Sequence, residues 1–200
     1  MKVKICGLTK IQQVRACVNL KTNFCGFILN YPKSHRFIKF NTAFKLTNQK
    51  KKGTKFVGVL VNPSQNDFLK YSQLKIDYFQ IYGKFTVNAL SKIRAKFNKK
   101  IIYTIQVKNK KDIQKYKLFK NCVDIILFDS SGYEKSLSWD FNWIKDVRIT
   151  KMIAGNIKLT TLDKIYKLAD IIDVSGALET NKVKDINKIK VFLKKLRKFN

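Results

Sequence analysis

The 200-residue chain predicts a closed (β/α)8 barrel, and three observations carry that prediction. Eight short runs of apolar and β-branched residues alternate with amphipathic segments of helical length. Cys6, Asn62, Tyr82, Asp129, Asn156 and Ser175 fall at the C-terminal ends of those runs, where such barrels build their active sites. The rival open doubly wound sheet would need a G-x-G-x-x-G turn after the first run, and Cys6-Gly7-Leu8-Thr9 stands there instead. Such barrels usually take about 250 residues, with about 200 near the minimum, so the loops must be short. One domain over residues 1–200 is expected, because no linker, low-complexity tract or tandem repeat divides the chain.

In chain order the expected strands are residues 3–8, 24–29, 55–62, 78–82, 100–107, 123–130, 150–156 and 171–176. A helix over 11–20 follows from Ile11, Val14 and Val18 at helical spacing. Asn62-Pro63-Ser64 reads as a helix start, and Asn109-Lys110 before Asp112 as a loop entering a helix. A last helix over 183–198 places Ile186, Ile189, Phe192, Leu193 and Leu196 on one face.

Composition narrows the function. The chain is 45% hydrophobic, yet no apolar stretch approaches the roughly 18 residues of a membrane span. The apolar stretch between Lys4 and Lys10 is too short for a signal-peptide core, so a cytoplasmic protein is expected. Cys6, Cys17, Cys25 and Cys122 form no C-x-x-C pair, and His35 is the only histidine. No metal site is expected, and the thiols read as free in a reducing compartment. The net charge of +29 invites a nucleic-acid reading. Only five of the 42 basic residues are arginine, however, and the lysines run from end to end, as in a chain encoded by an AT-rich gene. No specific nucleic-acid partner is expected.

Chemistry concentrates at the strand ends. Cys6 shares a strand face with Lys4, whose ammonium is expected to lower the thiol pKa and make Cys6 a base; the alternative is a buried structural cysteine, as for Cys17 and Cys25. Asp129 closes the most apolar strand, where lost solvation favours the acid form and suits a proton donor; the alternative is a loop or helix cap. Gly155-Asn156 and Ser175-Gly176 follow the last two strands, where barrels often bind phosphate; ordinary turns are the alternative. Arg36 follows strand two and suits a substrate carboxylate or phosphate, against a solvated surface arginine; His35 reads as a loop histidine without a ligand partner.

Taken in order, these segments resemble the phosphoribosylanthranilate isomerase family of tryptophan biosynthesis. The resemblance rests on Lys4-Ile5-Cys6-Gly7-Leu8-Thr9, Pro32-Lys33-Ser34-His35-Arg36, Val57-Gly58-Val59-Leu60-Val61-Asn62, Phe79-Gln80-Ile81-Tyr82-Gly83, Leu127-Phe128-Asp129, Ala154-Gly155-Asn156 and Asp173-Val174-Ser175. It implies a cofactor-free Amadori rearrangement of a small phosphorylated substrate, with Asp129 as general acid and Cys6 as general base. It further implies substrate binding by Arg36, Gln80 and Asp173, and phosphate binding by Gly155, Asn156, Ser175 and Gly176. A monomer or homodimer is expected. Departures are Tyr82 where the family has histidine, Asn142 where it has aspartate, Asn156 for a second glycine, and Ser175-Gly176-Ala177 for Ser-Ser-Gly. The loop after strand six, usually glycine-rich, reads Tyr133-Glu134-Lys135-Ser136-Leu137-Ser138. The competing readings are a decayed barrel that binds nucleic acid through its charge, and another sugar-phosphate isomerase or epimerase.

Overall fold

A computed structural model describes residues 1–130 and 137–199. Eight parallel strands form the barrel: β1 (Lys2–Cys6), β2 (Phe24–Ile28), β3 (Lys55–Val61), β4 (Tyr78–Tyr82), β5 (Lys100–Val107), β6 (Ile125–Ser130), β7 (Lys151–Ile153) and β8 (Ile171–Val174). Each pairs with the next, and β8 returns to β1 in the register Lys4 to Asp173, closing the sheet. The expected barrel is therefore the observed one.

Period-two alternation divides each strand between two cores. Inward-facing Phe24, Val57, Val59, Tyr78, Ile102, Ile125, Leu127, Met152 and Ile171 fill the barrel. Outward-facing residues such as Phe27, Phe56, Phe79, Ile126 and Phe128 pack beneath the helices. Truncating one of these buried phenylalanines to alanine costs roughly 3–5 kcal/mol.

Local chemistry sets the helix starts. α1 (Ile11–Asn19) and α2 (Phe40–Thr47) follow β1 and β2. Ser64 caps α3 (Gln65–Ser72), accepting from the Asp67 N–H at 3.1 Å while Asp67 reaches back to the Ser64 N–H. Thr86 caps α4 (Val87–Phe97), and Asn109 caps the short α5 (Lys110–Ile113), which is followed by α6 (Tyr116–Phe119). The chain economises around β7: a 3-10 turn (Phe141–Ile144) precedes it, and only a 3-10 turn and α7 (Leu162–Ile165) separate it from β8.

Strands one and eight end two residues earlier than expected, at Cys6 and Val174, strand six begins two residues later, at Ile125, and two bounds shift further. Strand seven ends at Ile153 rather than 156, because Gly155 at φ +110° and Asn156 at φ +46° turn the chain out of the sheet. The last helix, α8 (Ile186–Leu196), begins after an Asp185 cap. Val183 belongs instead to β10 (Val183–Lys184), which pairs antiparallel with β9 (Glu179–Thr180). Among the described residues no helix is long and apolar enough to cross a membrane.

Candidate active site

The C-terminal mouth of the barrel opens into a cavity of about 370 Å³. Its wall includes Cys6, Arg36, Asp129, Gly155, Asn156, Asp173, Ser175 and Gly176, so eight of the nine sequence-chosen site residues converge there. The ninth, Gln80, is fully buried below the mouth and donates from Nε2 to the Tyr82 hydroxyl at 3.3 Å.

β1 and β8 build one side. Lys4 is fully buried and donates to Asp173 Oδ2 at 2.6 Å. Burial alone would lower the Lys4 pKa, but attraction to Asp173 and Cys6 outweighs it and raises the value. Space for this cluster comes from Gly26 on β2, where a Cβ would lie 2.9 Å from Cys6 Sγ and 3.1 Å from Lys4 Nζ. The Cys6 thiol corrects an expectation. Its pKa is raised, because burial outweighs the pull of Lys4, and the charge of Asp173 adds to the rise. Burial also raises the Asp173 carboxyl against the pull of Lys4. Among the described residues Asp173 Oδ1 is buried without a hydrogen-bond partner while its residue lines the cavity, which leaves this oxygen open to a donor.

Asp129 stands two residues beyond inward-facing Leu127 on β6 and so faces the mouth. Burial pushes its carboxyl up to about 6, although hydrogen bonds from the Tyr82 hydroxyl (2.8 Å) and the Ser130 N–H (2.8 Å) oppose the rise. A carboxyl in that range suits proton donation near neutrality.

The turns after β7 and β8 form the third part of the wall. Asn156 Nδ2 donates to Ser138 Oγ at 2.8 Å, and Trp139 Nε1 donates to the Ala154 carbonyl at 2.8 Å. Ser138 and Trp139 are thereby fastened to the 154–156 turn; Tyr133 to Ser136 lie outside the described residues. Asn156 fills a left-handed position that asparagine tolerates, so its side chain replaces a glycine without a large backbone penalty. Ser175 Oγ donates to the Cys6 carbonyl at 3.0 Å, and Lys158 lines the same wall.

Glu179 was not singled out from sequence, yet it organises the cations at this rim. It accepts from Arg36 Nε (2.6 Å) and Nη2 (2.9 Å), approaches His35 Nε2 at 3.3 Å, and bonds the buried Lys184 ammonium, which also reaches Ser175 Oγ at 3.3 Å. Burial acts against the charge, but Arg36 and Lys184 hold the Glu179 carboxyl at about 2. The sequence carries little signal for it: Asn181-Lys182 makes a two-residue hairpin turn with both φ values positive, but without the glycine that usually marks one. Among the described residues no group of His, Cys, Asp and Glu is placed to hold a metal ion.

Comparison with known proteins gives the family of the chain. Residues 3–195 match the family model described as N-(5'-phosphoribosyl)anthranilate (PRA) isomerase. The chain is 31% identical over 206 residues to the N-(5'-phosphoribosyl)anthranilate isomerase of Thermoanaerobacter pseudethanolicus, covering 98% of each chain. A monomeric form of the dimeric isomerase from Thermotoga maritima superposes with a TM-score of 0.87 at 23% identity, covering 99% of both chains. A solved isomerase in complex with reduced 1-(o-carboxyphenylamino)-1-deoxyribulose 5-phosphate superposes with a TM-score of 0.86 at 24% identity, again over 99% of both. The chain belongs to the phosphoribosylanthranilate isomerase family, the aldose–ketose isomerases of tryptophan biosynthesis.

Proposed function

We propose that this chain converts N-(5'-phosphoribosyl)anthranilate to 1-(2-carboxyphenylamino)-1-deoxyribulose 5-phosphate with Asp129 as general acid and Cys6 as general base. The observation that carries these roles is that both side chains end inward-facing strand positions and line one cavity. Asp129 in its acid form protonates the ribose ring oxygen, and the ring C–O bond opens to a Schiff base. The Cys6 thiolate then removes the C2′ proton, giving an enolamine that tautomerises to the ketone. Lys4, 2.6 Å from Asp173 and beside Cys6, offsets the thiolate charge as it forms.

Binding follows the charges of the substrate. Its phosphate meets the turns at Gly155, Asn156, Ser175 and Gly176, with Lys158 beside them. Its carboxylate meets Arg36, which Glu179 holds at the rim. Asp173 Oδ1 accepts from a sugar hydroxyl. We further place the chain in the cytoplasm, where its four buried thiols suit a reducing milieu, as a monomer or homodimer.

The test is an assay with phosphoribosylanthranilate, following loss of anthranilate-type fluorescence, beside Cys6→Ala and Asp129→Asn. The reading expects each substitution to reduce turnover by about 10²–10⁴-fold. Undiminished turnover in either variant would remove that residue from its role.

A further inference from the structure

Tyr82 stands where the family has histidine, and its surroundings give that substitution a purpose. Both oxygens of Asp129 are engaged by protein: Oδ1 by the Ser130 N–H and Oδ2 by the Tyr82 hydroxyl, each at 2.8 Å. The Tyr82 hydroxyl accepts in turn from Gln80 Nε2 at 3.3 Å. This orientation of the Gln80 amide leaves the phenol proton to Asp129, the stronger acceptor. The chain Gln80–Tyr82–Asp129 runs from the buried barrel interior to the cavity wall; among the described residues, Lys4 and Cys6 of β1 and Asp173 of β8 act on the charge of its acids, and Arg36 and Lys158 line the same cavity.

A general acid must lose and regain a proton without losing its aim. A phenol suits that requirement because one oxygen both donates and accepts. With Asp129 ionised, the Tyr82 O–H points at Oδ2. With Asp129 protonated on Oδ1, Oδ2 is the carbonyl oxygen of the acid and still accepts from the Tyr82 O–H. The Gln80–Tyr82–Asp129 bonds therefore keep their directions in both states, and no heavy atom moves. Burial and the neighbouring carboxylates push the Tyr82 phenol well above its ordinary range, so it keeps its proton and does not compete as an acid.

We propose that Tyr82 is a positioning residue for the proton transfer, holding the Asp129 carboxyl in one orientation in both its ionised and its protonated form, with Gln80 anchoring the phenol. This rests on Asp129 being the general acid.

The experiment is the titration of Asp129 in the ligand-free protein by ¹³C-carboxyl NMR, assigned with Asp129→Asn, in wild type and in Tyr82→Phe. Removing a donor to the ionised carboxylate must raise its midpoint, by about one pH unit, and kcat should fall about 10-fold or more with KM little changed. The acid limb of kcat/KM should move up with the midpoint. An unmoved midpoint overturns the proposal. So does a raised KM with unaltered kcat and titration, because Tyr82 would then be touching substrate rather than orienting Asp129. Should Tyr82→Phe fail to fold, Gln80→Met must raise the midpoint in the same direction by a smaller amount, and no change there is equally fatal. Activity retained by Asp129→Asn would instead sink the acid assignment while leaving the titration result standing.

Discussion

Lys4 Nζ lies 2.6 Å from Asp173 Oδ2, and the two side chains are 0% and 6% exposed. Closing the barrel through the β1–β8 register puts these residues opposite each other although 169 positions separate them in the chain. An ion pair this deep contributes little net stability over an apolar pair of the same volume, but breaking it leaves a buried charge unpaired. Its value lies in the ammonium it keeps beside Cys6.

Lys4→Met should therefore cost about 3–5 kcal/mol in urea unfolding, whereas Lys4→Met combined with Asp173→Leu should recover much of that loss and remain inactive. Because the Lys4 pKa is raised, the ammonium's contribution is present while Asp173 is ionised, is complete below the ordinary lysine value of 10.5 and is lost as pH climbs through the folded value. Full stability in Lys4→Met alone would mean that Asp173 finds another partner.

Gly26 tests the cluster sterically. A methyl at that position would meet Cys6 Sγ at 2.9 Å, Lys4 Cε at 3.0 Å and Lys4 Nζ at 3.1 Å. Gly26→Ala should destabilise by about 1–3 kcal/mol, as overpacking does, and should lower kcat about 10-fold or more by displacing the thiol. Wild-type kcat in a destabilised Gly26→Ala protein would show that the position of Cys6 is not critical.

The pH profile follows from two perturbed groups. Turnover needs Asp129 protonated and Cys6 ionised, yet Asp129 titrates at about 6 and the thiol above its ordinary 9.0. Below 6 the acid is already protonated, so activity falls with the thiolate alone. Between the two values, gain of thiolate cancels loss of acid, giving a plateau. Above the thiol value only the acid form declines. Log kcat/KM should rise to a break at about pH 6 and fall beyond the thiol range, the lower break belonging to the acid, Asp129. Loss of that break in Asp129→Asn, measured on its residual activity, checks the assignment.

The fold was legible because each strand ends where a turn-forming or reactive residue interrupts an apolar run, as at Cys6-Gly7 and Asp129-Ser130. The direction of the Cys6 shift was not. Sequence shows Lys4 two residues away but shows neither the depth of burial nor Asp173, which only barrel closure brings near. The hairpin carrying Glu179 and Lys184 was hidden for a different reason. Val183 extends the apolar spacing of Ile186 and Ile189, so local periodicity absorbs it into the helix, and the Asp185 cap that breaks the pattern is visible only in its bonds to the Asn187 and Lys188 N–H groups.

Glu179 offers the last prediction. One carboxylate holds Arg36 at the rim and partners the buried Lys184, so Glu179→Gln should weaken the hold on the guanidinium and remove this counter-charge from the ammonium. KM should rise about 10-fold, more than kcat falls, since the loss is of substrate binding shared by ground and transition states. Stability supplies an independent check. The Glu179 carboxyl is held at about 2, below its ordinary 4.5, so its contribution is present above pH 4.5 and is lost as pH falls through the folded value. Thermal melts of wild type and Glu179→Gln should differ most near neutrality and converge between pH 4.5 and 2. A gap that stays constant over that interval would mean that the carboxylate charge contributes nothing to holding Arg36 and Lys184.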